Sequence, residues 1–266
     1  MMGAVVITGA GSGIGRALAL AYAQPGRTLL LLGRHRPALE ATADLLHGRG
    51  GQVEIRTVDV CDGRALDTIA ADFARDFGPV AVLIANAGIS HGTLTAEPAD
   101  RPVFAEIIAT NLVGVERTCS AFLPYLEPAA RVVGMASVAG FRGLPGAAAY
   151  SASKAGVIAY LESLRLELRG RGIRVCSIVP GYIATPMTAE NPYPMPWLMP
   201  VDRAAAKMRR AIDRGRPWTV LPWQMAMLGI LLRHLPIAVY DRLLSRMAGK
   251  ARRGNGGPDI SGGSGP

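Results

Sequence analysis

The sequence predicts an α/β protein: a doubly wound parallel sheet with helices on both faces, ended by a C-terminal helical extension. Three observations predict it. Six short apolar runs recur with a helical stretch in every gap. The runs are rich in Val, Ile and Leu with little polar alternation, as expected when helices cover both faces of a parallel sheet. A cluster of glycines falls between the first run and the first helix, where open sheets of this kind bind ligands.

Taken in order, residues 4–8 form the first strand, and Pro25 and Gly26 close the helix after it. Residues 28–32 form the second, with Pro37 suited to the first turn of the next helix. Strands at 53–58, 80–85 and 131–135 follow, then a long helix from near Tyr150 that Gly170 to Gly172 ends, and a sixth strand at 174–179. A basic helix over 201–214 and a short strand-like stretch at 217–221 complete one domain, residues 1–221. Residues 222–253 form the apolar and basic extension, and the Gly/Pro/Ser-rich residues 254–266 a disordered tail.

The chain has 266 residues, 29 Lys plus Arg and 20 Asp plus Glu, a formal charge of +9. The charge is local. Residues 1–202 balance 17 basic against 17 acidic side chains, whereas 203–253 hold twelve Lys/Arg against Asp213 and Asp241. A nucleic-acid groove would not confine its charge to one end, so no nucleic-acid partner is expected. Cys61, Cys119 and Cys176 have neither disulfide nor metal-ligand spacing, so they read as buried apolar groups in a reducing compartment and no metal is expected. The opening residues lack the features of a secretory signal, which points to the cytoplasm.

The glycine cluster reads Thr8-Gly9-Ala10-Gly11-Ser12-Gly13-Ile14-Gly15. Such a turn lets the backbone approach a pyrophosphate and offers it the N–H groups of a helix N-terminus. Asn86-Ala87-Gly88 follows the fourth strand, Asn111 lies in the next helix, Ser137 follows the fifth strand, Tyr150-Ser151-Ala152-Ser153-Lys154 opens the long helix, and Pro180-Gly181 ends the sixth strand with Thr185 close behind. In this order and spacing the set resembles the short-chain dehydrogenase/reductase family, over residues 3–186. The resemblance implies a Rossmann fold and an oxidoreductase that transfers a hydride to or from a nicotinamide dinucleotide.

Tyr150 and Lys154 are four apart, on one face of a helix. A phenol with an ordinary pKa near 10 is a poor base at neutral pH, and a neighbouring ammonium lowers that value. Ser137, at the C-terminal end of a strand, is placed to hydrogen-bond a substrate oxygen. By resemblance, Tyr150 is the general acid/base, Lys154 also holds the nicotinamide ribose, Ser137 stabilises the developing oxyanion, and Asn111 fixes a helix distortion and a water in the proton path. The resemblance further implies that Gly9, Gly11, Ser12, Gly13, Ile14, Gly15, Arg34, Asp59, Val60, Asn86, Ala87, Gly88, Tyr150, Lys154, Pro180, Gly181, Ile183 and Thr185 contact the cofactor. Asp59 has an alternative reading as the cap of the helix after it.

An NAD-preferring site carries an acid at the end of the second strand, whereas an arginine there accommodates the 2′-phosphate of NADP. Gly33 stands where the acid is expected, followed by Arg34, with Arg36 as a second candidate. NADP(H) is therefore favoured over NAD(H), although Ser12 stands where NADP-preferring relatives often carry another basic residue. The loops at 89–95, 138–149 and 182–200 face the substrate and are mostly apolar, with Arg142 read as solvent-exposed. They suit an uncharged, lipophilic ketone, aldehyde or alcohol. Rival readings are a non-catalytic NADP(H) sensor or scaffold, and an epimerase or dehydratase using the same tetrad.

The run from Pro217 to Leu232 is too short to span a bilayer. The stretch 236–250 places Ile237, Tyr240, Leu243, Leu244 and Met247 on one side and Asp241, Arg242, Ser245, Arg246 and Lys250 on the other. Residues 218–253 suit peripheral contact with the inner face of a membrane. The alternative is a helical hairpin packed on the core or a second subunit, with its basic face in water. The long helices suit a homodimer or homotetramer.

Overall fold

The computed structural model describes residues 2–49, 51–189, 191, 193–245, 249, 250, 252 and 253. The apolar runs form strands β1 (Met2–Thr8), β2 (Arg27–Gly33), β3 (Gln52–Thr57), β4 (Val80–Ala85), β5 (Leu126–Met135) and β6 (Arg174–Pro180). Between them lie helices α1 (Gly13–Tyr22), α2 (Arg36–Asp44), α3 (Gly63–Phe77), α4 (Arg101–Ile108), α5 (Gly114–Phe122) and α6 (Ala148–Glu167). After β6 come the short pair β7 (Ile183–Ala184) and β8 (Met199–Pro200), with helix α7 (Pro186–Ala189) between them. Helix α8 (Val201–Asp213), strand β9 (Trp218–Leu221) and helices α9 (Trp223–His234) and α10 (Ile237–Leu244) follow. The main sheet is parallel, in the order β3-β2-β1-β4-β5-β6-β9. Strand order reverses between β1 and β4, which opens a crevice at their C-terminal ends.

The missing alternation has a direct cause. Val6, Leu30, Leu32 and Leu83 point into one apolar layer, while Val5, Ile7, Leu29, Leu31 and Ile84 point into the other, and all are fully buried. Each such side chain contributes about 2 kcal/mol by leaving water. Strand β5 starts five residues earlier than its apolar run. It pairs Val80 with Leu126, shifts register over Pro128 and Ala129 (φ 62°), and resumes at Val82 with Arg131. A proline that cannot donate to the ladder explains why the sequence hid this segment.

The basic helix α8 belongs to the domain. Ala204, Met208 and Ile212 are buried against α1, Arg209 donates to the carbonyl of Ala21 and to Gln24, and Tyr22 donates to Asp213 at 3.2 Å. Cys119 and Cys176 are buried, but Cys61 is half-buried, with its Sγ 3.8 Å from the Thr110 hydroxyl.

Helices α9 and α10 pack on this body by one face. Met225 meets Gly181, where a Cβ would lie 2.6 Å from the Met225 Cγ, and Gly229 lies against the Phe141 ring. Arg142 is half-buried rather than exposed: its guanidinium donates to the carbonyls of Leu232 and Leu235 and lies 3.7 Å from the Tyr240 ring centre. Those carbonyls end α9, so the cation meets the negative end of a helix. Tyr240 and Leu244 turn inward, whereas Ile237 and Leu243 are exposed, so the apolar residues of α10 divide between two faces. Trp223, Met227, Ile230 and Leu231 of α9 are exposed as well. The surface turned to water is therefore apolar rather than simply basic. Arg246, Met247 and residues 254–266 lie outside the described residues.

Candidate active site

The turn between β1 and α1 is built for close approach. Gly9 and Gly13 have φ of +66° and +50°, and a Cβ on Gly9 would stand 2.9 Å from the Ala87 Cα. Ser12 provides no side-chain cap to α1, which leaves the first-turn N–H groups to whatever enters the crevice. Thr42 donates to the Ala10 carbonyl at 3.0 Å, and Arg16 donates to the Gly11 carbonyl and, at 3.0 Å, to Thr42. Those two side chains hold the loop from α1 and α2. Across the crevice, the Thr8 hydroxyl accepts from the N–H groups of Asn86 and Ala87, both at 3.0 Å, and the Asn86 amide donates to the carbonyl of Thr8 at the same distance. The ends of β1 and β4 are thus stitched together beside the opening.

Two hollows share Gly9, Ser12, Ala87 and Gly88 as common wall. The first is also lined by Gly13, Ile14, Asn86, Ser137, Tyr150, Lys154, Pro180, Gly181, Ile183 and Thr185, the second by Gly11, Arg34, Asp59 and Val60. Gly15 lines neither. It is buried, and a Cβ there would overlap the Gly9 carbonyl, so its place is in packing helix against turn. Two compartments joined over a helix N-terminus fit a dinucleotide whose pyrophosphate lies at the junction.

In the first hollow the Lys154 ammonium donates to the Met135 carbonyl at 2.7 Å and sits 5.7 Å from the Tyr150 ring centre. Burial lowers its pKa to about 8. Burial also pushes the Tyr150 phenol above its ordinary value, partly offset by its hydrogen bond with Ser137. The lowering contribution on this phenol comes from Ser137. Asn111 sits fully buried on a π turn, Ala109–Val113, that interrupts the run from α4 to α5. Its side chain accepts from the Ile89 N–H at 2.8 Å and donates to the Ile89 carbonyl at 2.9 Å and to Ser153 at 3.2 Å. The distortion thus ties the loop after β4 to α6, the helix carrying Tyr150 and Lys154.

At the second hollow Arg34 lies 3.8 Å from Asp59 and 4.0 Å from Glu106. His35, which the sequence did not single out, lines the same space. Arg36 does not: it pairs with Glu40 at 2.7 Å on the surface of α2. Asp59 accepts from the Cys61 N–H at 2.9 Å, while Asp62 is the residue that caps α3.

The loop after β6, expected to face the substrate, brings the rings of Tyr182 and Tyr193 to 6.3 Å. Tyr150 also has a neighbouring cation that the apolar loops did not predict. The Lys250 ammonium, from the end of the extension, lies 4.9 Å from the Tyr150 ring centre. Arg252 follows it, paired at 2.9 Å with the buried Asp100. No local pattern in the sequence places residues a hundred positions apart beside one another.

A family profile described as short chain dehydrogenase matches residues 3–194. An uncharacterized oxidoreductase of Myxococcus xanthus is 40% identical over 245 residues, which cover 91% of this chain and 96% of that one. Among solved structures, a short chain dehydrogenase/reductase of Burkholderia phymatum in complex with NAD aligns with a TM-score of 0.78 and 27% identity, over 92% of this chain and 95% of that one. An alcohol dehydrogenase of the archaeon Thermococcus sibiricus complexed with 5-hydroxy-NADP aligns with a TM-score of 0.73 and 26% identity, over 83% and 96%.

Proposed function

Because the chain belongs to the short-chain dehydrogenase/reductase family and is an NAD(P)-dependent oxidoreductase, we propose that it interconverts a lipophilic ketone or aldehyde and its alcohol with NADP(H). The observation that carries this reading is the convergence of Ser137, Tyr150 and Lys154 on the hollow that the glycine turn also lines. The nicotinamide, when bound, supplies or accepts the hydride. Ser137 holds the substrate oxygen, and Tyr150 transfers the proton at that oxygen. A phenol held above its ordinary pKa keeps its proton at neutral pH and is suited to donate it to a carbonyl. Lys154 presents an ammonium to the same hollow and is the residue to hold the nicotinamide ribose, while Asn111 keeps α6 and the loop after β4 in register. Consumption of NADPH against a panel of carbonyls tests the reaction class.

The preference for NADP(H) rests on Arg34 at the second hollow and on Gly33, which leaves no acid at the end of β2. Arg34→Ala should raise the dissociation constant for NADPH about tenfold, the worth of one charge-assisted contact near 1.4 kcal/mol, and leave that for NADH nearly unchanged. Titration of the protein's fluorescence with each dinucleotide gives both numbers.

The outward face of α9 and α10 supports peripheral membrane contact. Trp223, Met227, Ile230, Leu231, Ile237 and Leu243 are each more than half exposed, with Arg233 and Arg242 beside them. No helix among the described residues is long and apolar enough to cross a membrane. An apolar face rimmed by arginines suits the acyl boundary below anionic headgroups. Replacing Met227, Ile230 and Leu231 together by Gln should abolish co-flotation with phosphatidylserine vesicles and leave NADPH oxidation intact. Flotation that survives the triple change removes this face as the contact.

A further inference from the structure

The end of the extension reaches, through Glu106, the Arg34 side chain at the second hollow. Arg252 is anchored on Asp100 and, at 3.4 Å, on Glu97, and its backbone bridges to Gly92. That anchor brings the next side chain, Arg253, to Glu106 at 2.7 Å. The other oxygen of the same Glu106 carboxylate lies 4.0 Å from Arg34, which also has Asp59 at 3.8 Å. A 2′-phosphate approaching Arg34 therefore meets two carboxylates, and like charges at this range oppose its binding. Arg253 changes the balance: it pairs with Glu106 and offsets its charge. Its hydrogen bond is the chief reason the Glu106 carboxyl sits below the ordinary carboxylate range, with Arg34 and His91 adding to the effect.

We propose that Arg253 is a positioning residue for dinucleotide choice, holding Glu106 in an ion pair so that Arg34 is left to the 2′-phosphate of NADP(H). The proposal rests on the NADP(H) reading of Arg34. It gives the C-terminal segment a role in cofactor selection that is separate from membrane contact. The pair is partly exposed, so its effect is modest and depends on salt.

The test uses the full chain and two probes that differ only by the phosphate in question, adenosine 2′,5′-bisphosphate and adenosine 5′-monophosphate, with affinities measured by calorimetry at low salt. Wild type should prefer the bisphosphate. Arg253→Gln should reduce that preference about threefold to fivefold, with the monophosphate affinity unchanged. Glu106→Gln introduced into Arg253→Gln should restore the preference to at least its wild-type value, a rescue that general damage to the fold would not give. A preference unaltered by Arg253→Gln, an equal loss for both probes, or no rescue overturns the proposal and leaves the NADP(H) reading standing. A wild type that does not distinguish the probes overturns that reading, and the proposal with it.

Discussion

Tyr150→Phe should lower turnover about 10³-fold while NADPH still binds with unchanged affinity, because the substitution removes the phenolic hydroxyl and little volume. In the proposed mechanism the phenol is the acid: it hydrogen-bonds Ser137 and lines one hollow with Lys154 and the glycine turn. Ser137 cannot replace it, since a hydroxyl of much higher pKa is a poorer acid for an alkoxide. Single-turnover hydride transfer and dinucleotide titration on the same preparation separate the two effects. Equal loss of binding and rate would instead assign Tyr150 to holding the cofactor.

Lys154→Met should have the second largest effect, with opposite signs for activity and stability. Activity should fall because the hollow loses its ammonium. Stability should rise at neutral pH. The folded-state pKa of about 8 lies below the ordinary lysine value of about 10.5. The unfolded chain therefore binds the proton more tightly, and the wild-type fold carries a cost of about 3 kcal/mol below pH 8. That cost is relieved as pH rises from 8 to 10.5. The hydrogen bond to Met135 offsets part of it. Urea unfolding of both proteins at pH 7 and pH 10.5 should give the methionine variant its larger advantage at pH 7. An advantage that is absent at pH 7, or that grows with pH, would mean the ammonium is better solvated than its surroundings indicate. A site that stores such a cost for function is an ordinary stability trade-off.

Much of the fold was legible because its signals are local. Continuous runs such as Leu29 to Leu32 mark strands buried on both faces, and the glycines from Gly9 to Gly15 mark a tight turn into a helix. Tyr150 and Lys154 announce a shared site through their spacing. What was hidden depends on residues far apart in the chain. Arg142 reads as a lone surface charge until α9 and α10 supply carbonyls and a ring for it. Lys250 and Arg253 belong to a segment that reads only as basic, yet they reach Tyr150 and Glu106. Arg16 and Thr42 hold the glycine turn through contacts no periodicity encodes.

The hydride-transfer chemistry is tested most directly by following NADPH absorbance with a panel of lipophilic ketones and aldehydes, using wild type and Tyr150→Phe side by side, with NADH run in parallel. NADPH should be consumed in step with alcohol formation by wild type, faster than NADH, and the signal should vanish in the variant. Carbonyl substrate converted with no net loss of NADPH would assign the site to epimerase or dehydratase chemistry, and dinucleotide binding without conversion of any carbonyl would contradict a catalytic role.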